Sequence, residues 1–136
     1  MRSVAPFVLV AALAGCSSYP PPPAPNYQGQ QHLAQWLNGL VPSGPPQDCL
    51  ASYKQQEMTV IDSSTIAFRE GTGHVWVQKT QSPCTPLGGP GPYALVTRSG
   101  QSQLCRGDIA EVVDTTSGMG VGSCVIGEFL PYSRPR

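Results

Sequence analysis

Five cysteines are the residues of this 136-residue chain best placed to do chemistry: Cys16, Cys49, Cys84, Cys105 and Cys124. Thiols can ligate a metal, exchange electrons or bridge one another. A zinc site normally presents two sulfurs from one turn, and a redox pair sits equally close, so that the attacking thiolate is stabilised. No Cys-x-x-Cys pair occurs here. Structural disulfides among Cys49, Cys84, Cys105 and Cys124 are therefore expected, with no metal site. Three connectivities are open to four cysteines. The preferred one joins Cys84 to Cys105, closing the central loop, and Cys49 to Cys124, tying the ends of the domain. Chain-entropy arithmetic gives each bridge roughly 3 kcal/mol.

No other residue type makes a recognisable catalytic constellation. The two histidines, His32 and His74, stand far apart in the chain, and no Gly-x-Ser-x-Gly elbow accompanies either. They are read as surface residues. Gly118-Met119-Gly120-Val121-Gly122 lacks the Lys-Ser/Thr ending of a phosphate loop and does not match the dinucleotide pattern, so it reads as a connection between strands. Arg106-Gly107-Asp108 spells an adhesion tripeptide, yet beside a disulfide cysteine it reads as a turn, Gly bending the chain and Asp capping it. The carboxylates Asp62, Asp108, Glu111, Asp114 and Glu128 lack calcium-loop spacing. Trp76, Tyr93 and Phe129 are assigned to the core ahead of a ligand groove. No catalytic residue and no cofactor are assigned.

Positioning these residues falls to segments of very different composition. Residues 4–13 are apolar apart from Pro6, with Arg2 before them. About ten apolar residues cannot span a bilayer core, which takes ~20 in a helix. Such a short run reads as an export signal. It ends in Leu13-Ala14-Gly15-Cys16, which resembles the lipobox of bacterial lipoproteins. There, a signal peptidase cuts before the cysteine, whose sulfur carries a diacylglycerol. The resemblance implies a lipid on Cys16 and explains the odd cysteine. Ala12-Leu13-Ala14 also fits an ordinary secretory cleavage site, which would release a soluble periplasmic protein. The glycine directly before the cysteine, and Ser17-Ser18 and prolines after it, favour the lipoprotein.

Residues 16–31 form the expected lipidated N-terminus and tether. Tyr19-Pro20-Pro21-Pro22-Pro23-Ala24-Pro25 favours polyproline II, a semi-rigid spacer rising ~3.1 Å per residue. Residues 32–48 hold a short helix and a linker. Leu33, Trp36, Leu37 and Leu40 follow the spacing of one apolar face, which predicts a helix over 31–40, stopped at Asn38-Gly39 and packed on the domain.

From Cys49 the pattern changes to strands. Runs at 57–62, 65–69, 74–80, 93–99, 103–106, 109–113 and 124–130 alternate or are β-rich. Turns are expected at Asp62-Ser63-Ser64 and at Glu70-Gly71-Thr72-Gly73, a long loop over 83–92, a hairpin about Gly100, and a glycine-rich loop over 115–122. Charged residues make up 12% of the chain, with 15 Gly and 15 Pro, which argues against a helical bundle. The fold class expected is mainly β: a small antiparallel sheet, barrel or sandwich with disulfides, over 49–132, with a tail at 133–136. Eight basic and eight acidic side chains leave no basic field for nucleic acid.

The domain also resembles a sparsely characterised family of small proteins exported by proteobacteria. The matching residues are Cys49-Leu50, Val60-Ile61-Asp62, Thr65-Ile66-Ala67-Phe68, Cys84 with Leu87, Leu104-Cys105-Arg106-Gly107-Asp108, and Cys124-Val125-Ile126-Gly127-Glu128-Phe129. The resemblance covers 49–132 and leaves the tether unmatched. It implies an exported β domain with four paired cysteines, and no reaction. Ser17 after Cys16 departs from the Asp that commonly marks inner-membrane retention among lipoproteins, so the resemblance implies the periplasmic face of the outer membrane.

The expectation is thus a membrane-anchored cell-envelope lipoprotein, held in the bilayer through the Cys16 acyl chains and serving as a non-catalytic binding or structural module with an envelope protein as candidate partner. The alternatives are a soluble periplasmic protein and a small envelope hydrolase using His74.

Overall fold

The computed structural model of the chain describes residues 26–98 and 100–136. The expected signal segment, Cys16 and most of the expected tether lie outside these residues. One helix, α1 (Tyr27–Trp36), comes first. Strands follow as β1 (Val41–Pro42), β2 (Cys49–Ala51), β3 (Glu57–Asp62), β4 (Thr65–Glu70) and β5 (His74–Lys79). The second half holds β6 (Tyr93–Thr97), β7 (Gln103–Cys105), β8 (Ile109–Asp114), β9 (Gly120–Val125) and β10 (Phe129–Ser133). The expected mainly β class with antiparallel sheets and disulfides is what the chain adopts.

Helix α1 starts ahead of the expected 31–40 and takes in the last residues assigned to the tether. Asn26 caps it, its side-chain oxygen accepting the Gly29 N–H at 3.0 Å. That bond satisfies one of the amides a helix start leaves without a partner. The helix ends at Trp36, where Leu37 becomes the C-cap. The apolar stripe is used all the same: Leu33, Trp36, Leu37 and Leu40 pack against Ile61, Ala67, Val75 and Val77. Gly29 permits the close approach, since a Cβ there would stand 2.9 Å from the Ile61 carbonyl oxygen.

The largest sheet runs β1-β10-β5-β4-β3. Its central hairpins are set by local turn chemistry. Asp62 Oδ1 accepts the Ser64 N–H at 2.8 Å between β3 and β4, and Gly71 turns at φ 60° between β4 and β5. Both faces of this sheet are buried. Ala67, Val75 and Val77 face α1, while Ile66, Phe68, Trp76 and Phe129 face the main core. The opposite wall of that core is made by Leu50 and Leu104 of the β2-β7 pair and by Leu95, Ala110, Val112 and Cys124 of the β6-β8-β9 sheet. Trp76 and Phe129 are buried in this core and the partly buried Tyr93 packs against it, so all three serve the core as expected.

Two pairings differ from expectation. The hairpin about Gly100 does not form: β6 pairs with β8, and β7 pairs with β2. Leu104 and Leu50 sit opposite one another in that short pair, both inside the core. The run 124–130 is not one strand either. It breaks at Gly127, which passes directly against the Lys79 carbonyl where any Cβ would collide. Before the break the chain belongs to the β6-β8-β9 sheet, and after it to the largest sheet. The last three residues of the expected glycine-rich loop, 120–122, are strand, because β9 begins at Gly120 and pairs with Val113.

Candidate functional site

The cysteines meet in pairs other than the preferred ones. Cys49 bonds Cys105 and Cys84 bonds Cys124, with Cα atoms 4.0 and 4.7 Å apart. The strand pairings dictate this. Cys49 and Cys105 are direct register partners in β2-β7, while Cys124 faces inward beside Ala110 and meets the buried Cys84. The loops closed have sequence separations of 56 and 40 residues. Such lengths correspond to about 4 kcal/mol per bridge in chain-entropy arithmetic.

The remaining candidates are spread over the surface. His32 lies on α1, edge-on to Trp36 at 6.5 Å. His74 opens β5, exposed, in register with Glu70 on one side and Ser133 on the other. Among the described residues, neither histidine hydrogen-bonds a hydroxyl or a carboxylate. No group of three His, Cys, Asp or Glu among them is placed to hold a metal ion. The carboxylates serve local structure. Asp108 Oδ2 accepts the Cys105 N–H at 2.8 Å, closing the turn expected at Arg106-Gly107-Asp108. Asp114 Oδ1 accepts the Thr116 N–H at 2.7 Å. Arg106 donates to Glu128 at 2.6 Å and lies 3.7 Å from Asp48.

A cleft of about 550 Å³ opens between the β3–β4 turn and the Thr85–Gly89 segment, reaching Lys79 and Asn26. Backbone bonds join its two walls: the Ser63 carbonyl accepts the Cys84 N–H at 2.6 Å, and the Ser64 carbonyl accepts the Thr80 N–H at 3.0 Å.

The surface least accounted for by folding is the outer side of the β6-β8-β9 sheet. Strand alternation sends Leu95, Ala110 and Val112 inward and leaves Ala94, Val96, Ile109, Glu111 and Val113 on the other face. Ile109 is 67% exposed and Val96 37%, with Met119 and Val121 also exposed at the end of the same sheet. Glu111 crosses this face, pairing with Arg98 at 3.8 Å. The outer edge of the sheet is β6, Tyr-Ala-Leu-Val-Thr, five residues without charge or proline. Sequence reasoning identified this strand but not its place at an edge. The lack of charge across 93–97 was the available signal, and it could not say which strands would flank it.

Fold and surface together define a disulfide-bonded antiparallel β protein with an apolar, open-edged sheet. Comparison with protein families, curated proteins and solved structures finds no match to the chain in any of the three. No helix among the described residues is long and apolar enough to cross a membrane.

Proposed function

We propose that this protein is a bacterial cell-envelope lipoprotein, anchored through acyl chains on Cys16 and carrying its β domain as a non-catalytic binding or structural module. The observation that supports the anchor most directly is the disposition of the cysteines. Two bridges consume Cys49, Cys84, Cys105 and Cys124, which leaves Cys16 as the cysteine outside both, at the end of the lipobox-like Leu13-Ala14-Gly15-Cys16. One acyl chain holds a protein to a bilayer only marginally, so anchoring rests on several. The proline tract beyond it would set the domain off the membrane surface, at the periplasmic face of the outer membrane.

The module reading draws on the surface. The carboxylates support turns or pair with arginine, and four of the eight exposed large hydrophobics among the described residues, Val96, Ile109, Met119 and Val121, lie on one sheet or at its end. Exposed apolar surface next to an open strand edge suits binding.

Intact-mass measurement of the exported protein, with and without reduction, tests the anchor. The expected species begins at Cys16, carries added acyl mass, and gains two hydrogens per bridge on reduction. An unacylated mature chain beginning at Gly15 would overturn the anchor and leave a soluble periplasmic protein.

A further inference from the structure

The two small sheets and the large one present several strand edges, and the chain disposes of nearly all of them. The outer edge of β3 meets α1 only at its end, where Gly29 packs against the Ile61 carbonyl; the rest of it carries the charged Glu57 and a register shift between Val60 and Asp62. β1 is two residues long and one is Pro42, which has no N–H to offer. β2 is only three residues long, and Gln55 just beyond it donates its side-chain amide to the Leu50 carbonyl at 2.8 Å. On β7, Asp108 accepts the Cys105 N–H. β9 is closed by the segment after β5: Gln81 N–H donates to the Val125 carbonyl at 2.8 Å, Ser82 Oγ accepts the Val125 N–H at 3.2 Å, and Gly122 abuts the Thr85 carbonyl. The Cys84–Cys124 bridge fastens that cover.

β6 is the exception. Among the described residues, Ala94–Thr97 make backbone contacts with β8 alone. An unpaired edge exposes alternate N–H and C=O groups that accept another strand, and proteins ordinarily protect such edges with Lys, Pro, a bulge or a cover. β6 has none of these, and its register with β8 runs without a shift from Tyr93 to Thr97.

We infer that β6 is a self-association edge: two copies of this chain pair Tyr93–Thr97 antiparallel about a two-fold axis at Leu95, joining their β6-β8-β9 sheets into one. Three observations select a second copy as the occupant. The strand carries no charge, so nothing on it recruits an oppositely charged partner and nothing repels its own copy. A two-fold at Leu95 sets Tyr93 of one copy opposite Thr97 of the other, and small Ala94 opposite branched Val96, which are favourable cross-strand combinations. The faces also agree in sense, because the axis puts Ala94 and Val96 of both copies on the outer surface and both Leu95 side chains on the core side. Isologous pairing of this kind closes on itself and does not propagate, since β9 at the far edge of each sheet is covered. The inference rests on the binding-module part of the proposed function and not on the lipid anchor.

The experiment is light scattering and hydrogen exchange on the full exported protein in detergent, wild type against Val96→Lys and Ala94→Lys. Both positions lie on the outer face, so the substitutions spare the core. Unreduced mass and thermal unfolding report that each variant is folded. The expected result is a dimer whose 93–97 amides lose protection on dilution, with each lysine weakening association at least tenfold. As a check independent of lysine, mixing Ala94→Cys and Val96→Cys proteins should give a disulfide-linked heterodimer. A protein monomeric over the accessible concentration range would overturn the inference. So would a dimer indifferent to both lysines, or 93–97 amides protected only when other envelope proteins are added. Acylation is read from the mass of the same sample, so failure of the anchor and failure of the dimer are distinguishable.

Discussion

Gln78 and Trp76 stand two residues apart on one face of β5 and meet the core in opposite ways. The Trp76 ring is buried, but its Nε1–H donates to Glu70 at 3.1 Å and the Lys54 ammonium lies 4.6 Å from its ring centroid. Its polar edge and its π face are both used. Gln78 is wholly buried, registered between Ile66 and Phe129, and neither side-chain polar atom has a hydrogen-bond partner among the described residues. An unpartnered buried amide costs about 1–3 kcal/mol. Met has nearly the same length and no such penalty. Gln78→Met should therefore raise stability by about 1 kcal/mol or more, read as a higher urea midpoint with unchanged slope. A lower midpoint would show that the amide is satisfied in solution.

At the level of elements, α1 depends on the absence of one side chain. Replacing a helical glycine by alanine usually gains about 1 kcal/mol in helix propensity. At Gly29 the new Cβ would stand 2.9 Å from both the Ile61 carbonyl oxygen and Asn26 Nδ2, the first of which is backbone in β3. Overpacking of this kind costs about 1–3 kcal/mol, which outweighs the propensity gain. Gly29→Ala is expected to lower the unfolding temperature, with a net loss of about 1 kcal/mol; a rise would mean that α1 can shift outward freely. The same packing explains why the helix was legible only in part. Leu33, Trp36, Leu37 and Leu40 announce an apolar stripe, but the start is set by Asn26 and by the fit of Gly29, neither of which carries a period. Strands β3, β4 and β5 were legible because their turns are local: Asp62 bonds Ser64, and Gly71 supplies a positive φ. β6, β7 and β8 were visible as strands but not as neighbours. Alternation says which residues share a face and is silent on which strand lies alongside, and β2, at three residues, is too short to show a pattern. The β6 edge, and with it the candidate surface, depended wholly on that missing information.

The molecule as a whole is a layered arrangement in which the largest sheet is covered on both sides, by α1 on one and by the smaller sheets on the other. The cysteines tie these layers in an interleaved order, Cys49 to Cys105 and Cys84 to Cys124, each bridge having one end inside the span of the other. Interleaving has a consequence for survival among proteases. Suppose the chain is cut at two exposed places, the Gly71–Thr72 turn and the Thr115–Gly118 turn. The three pieces then carry Cys49, then Cys84 with Cys105, then Cys124, and both bridges cross a cut, so all three stay covalently joined. Nested pairing of Cys84 with Cys105 would have let the middle piece go. Doubly nicked protein should therefore migrate as one species without reductant and as three with it; release of a middle fragment before reduction would contradict the interleaved order. A domain built this way can be severed twice in its loops and still remain a single covalent object.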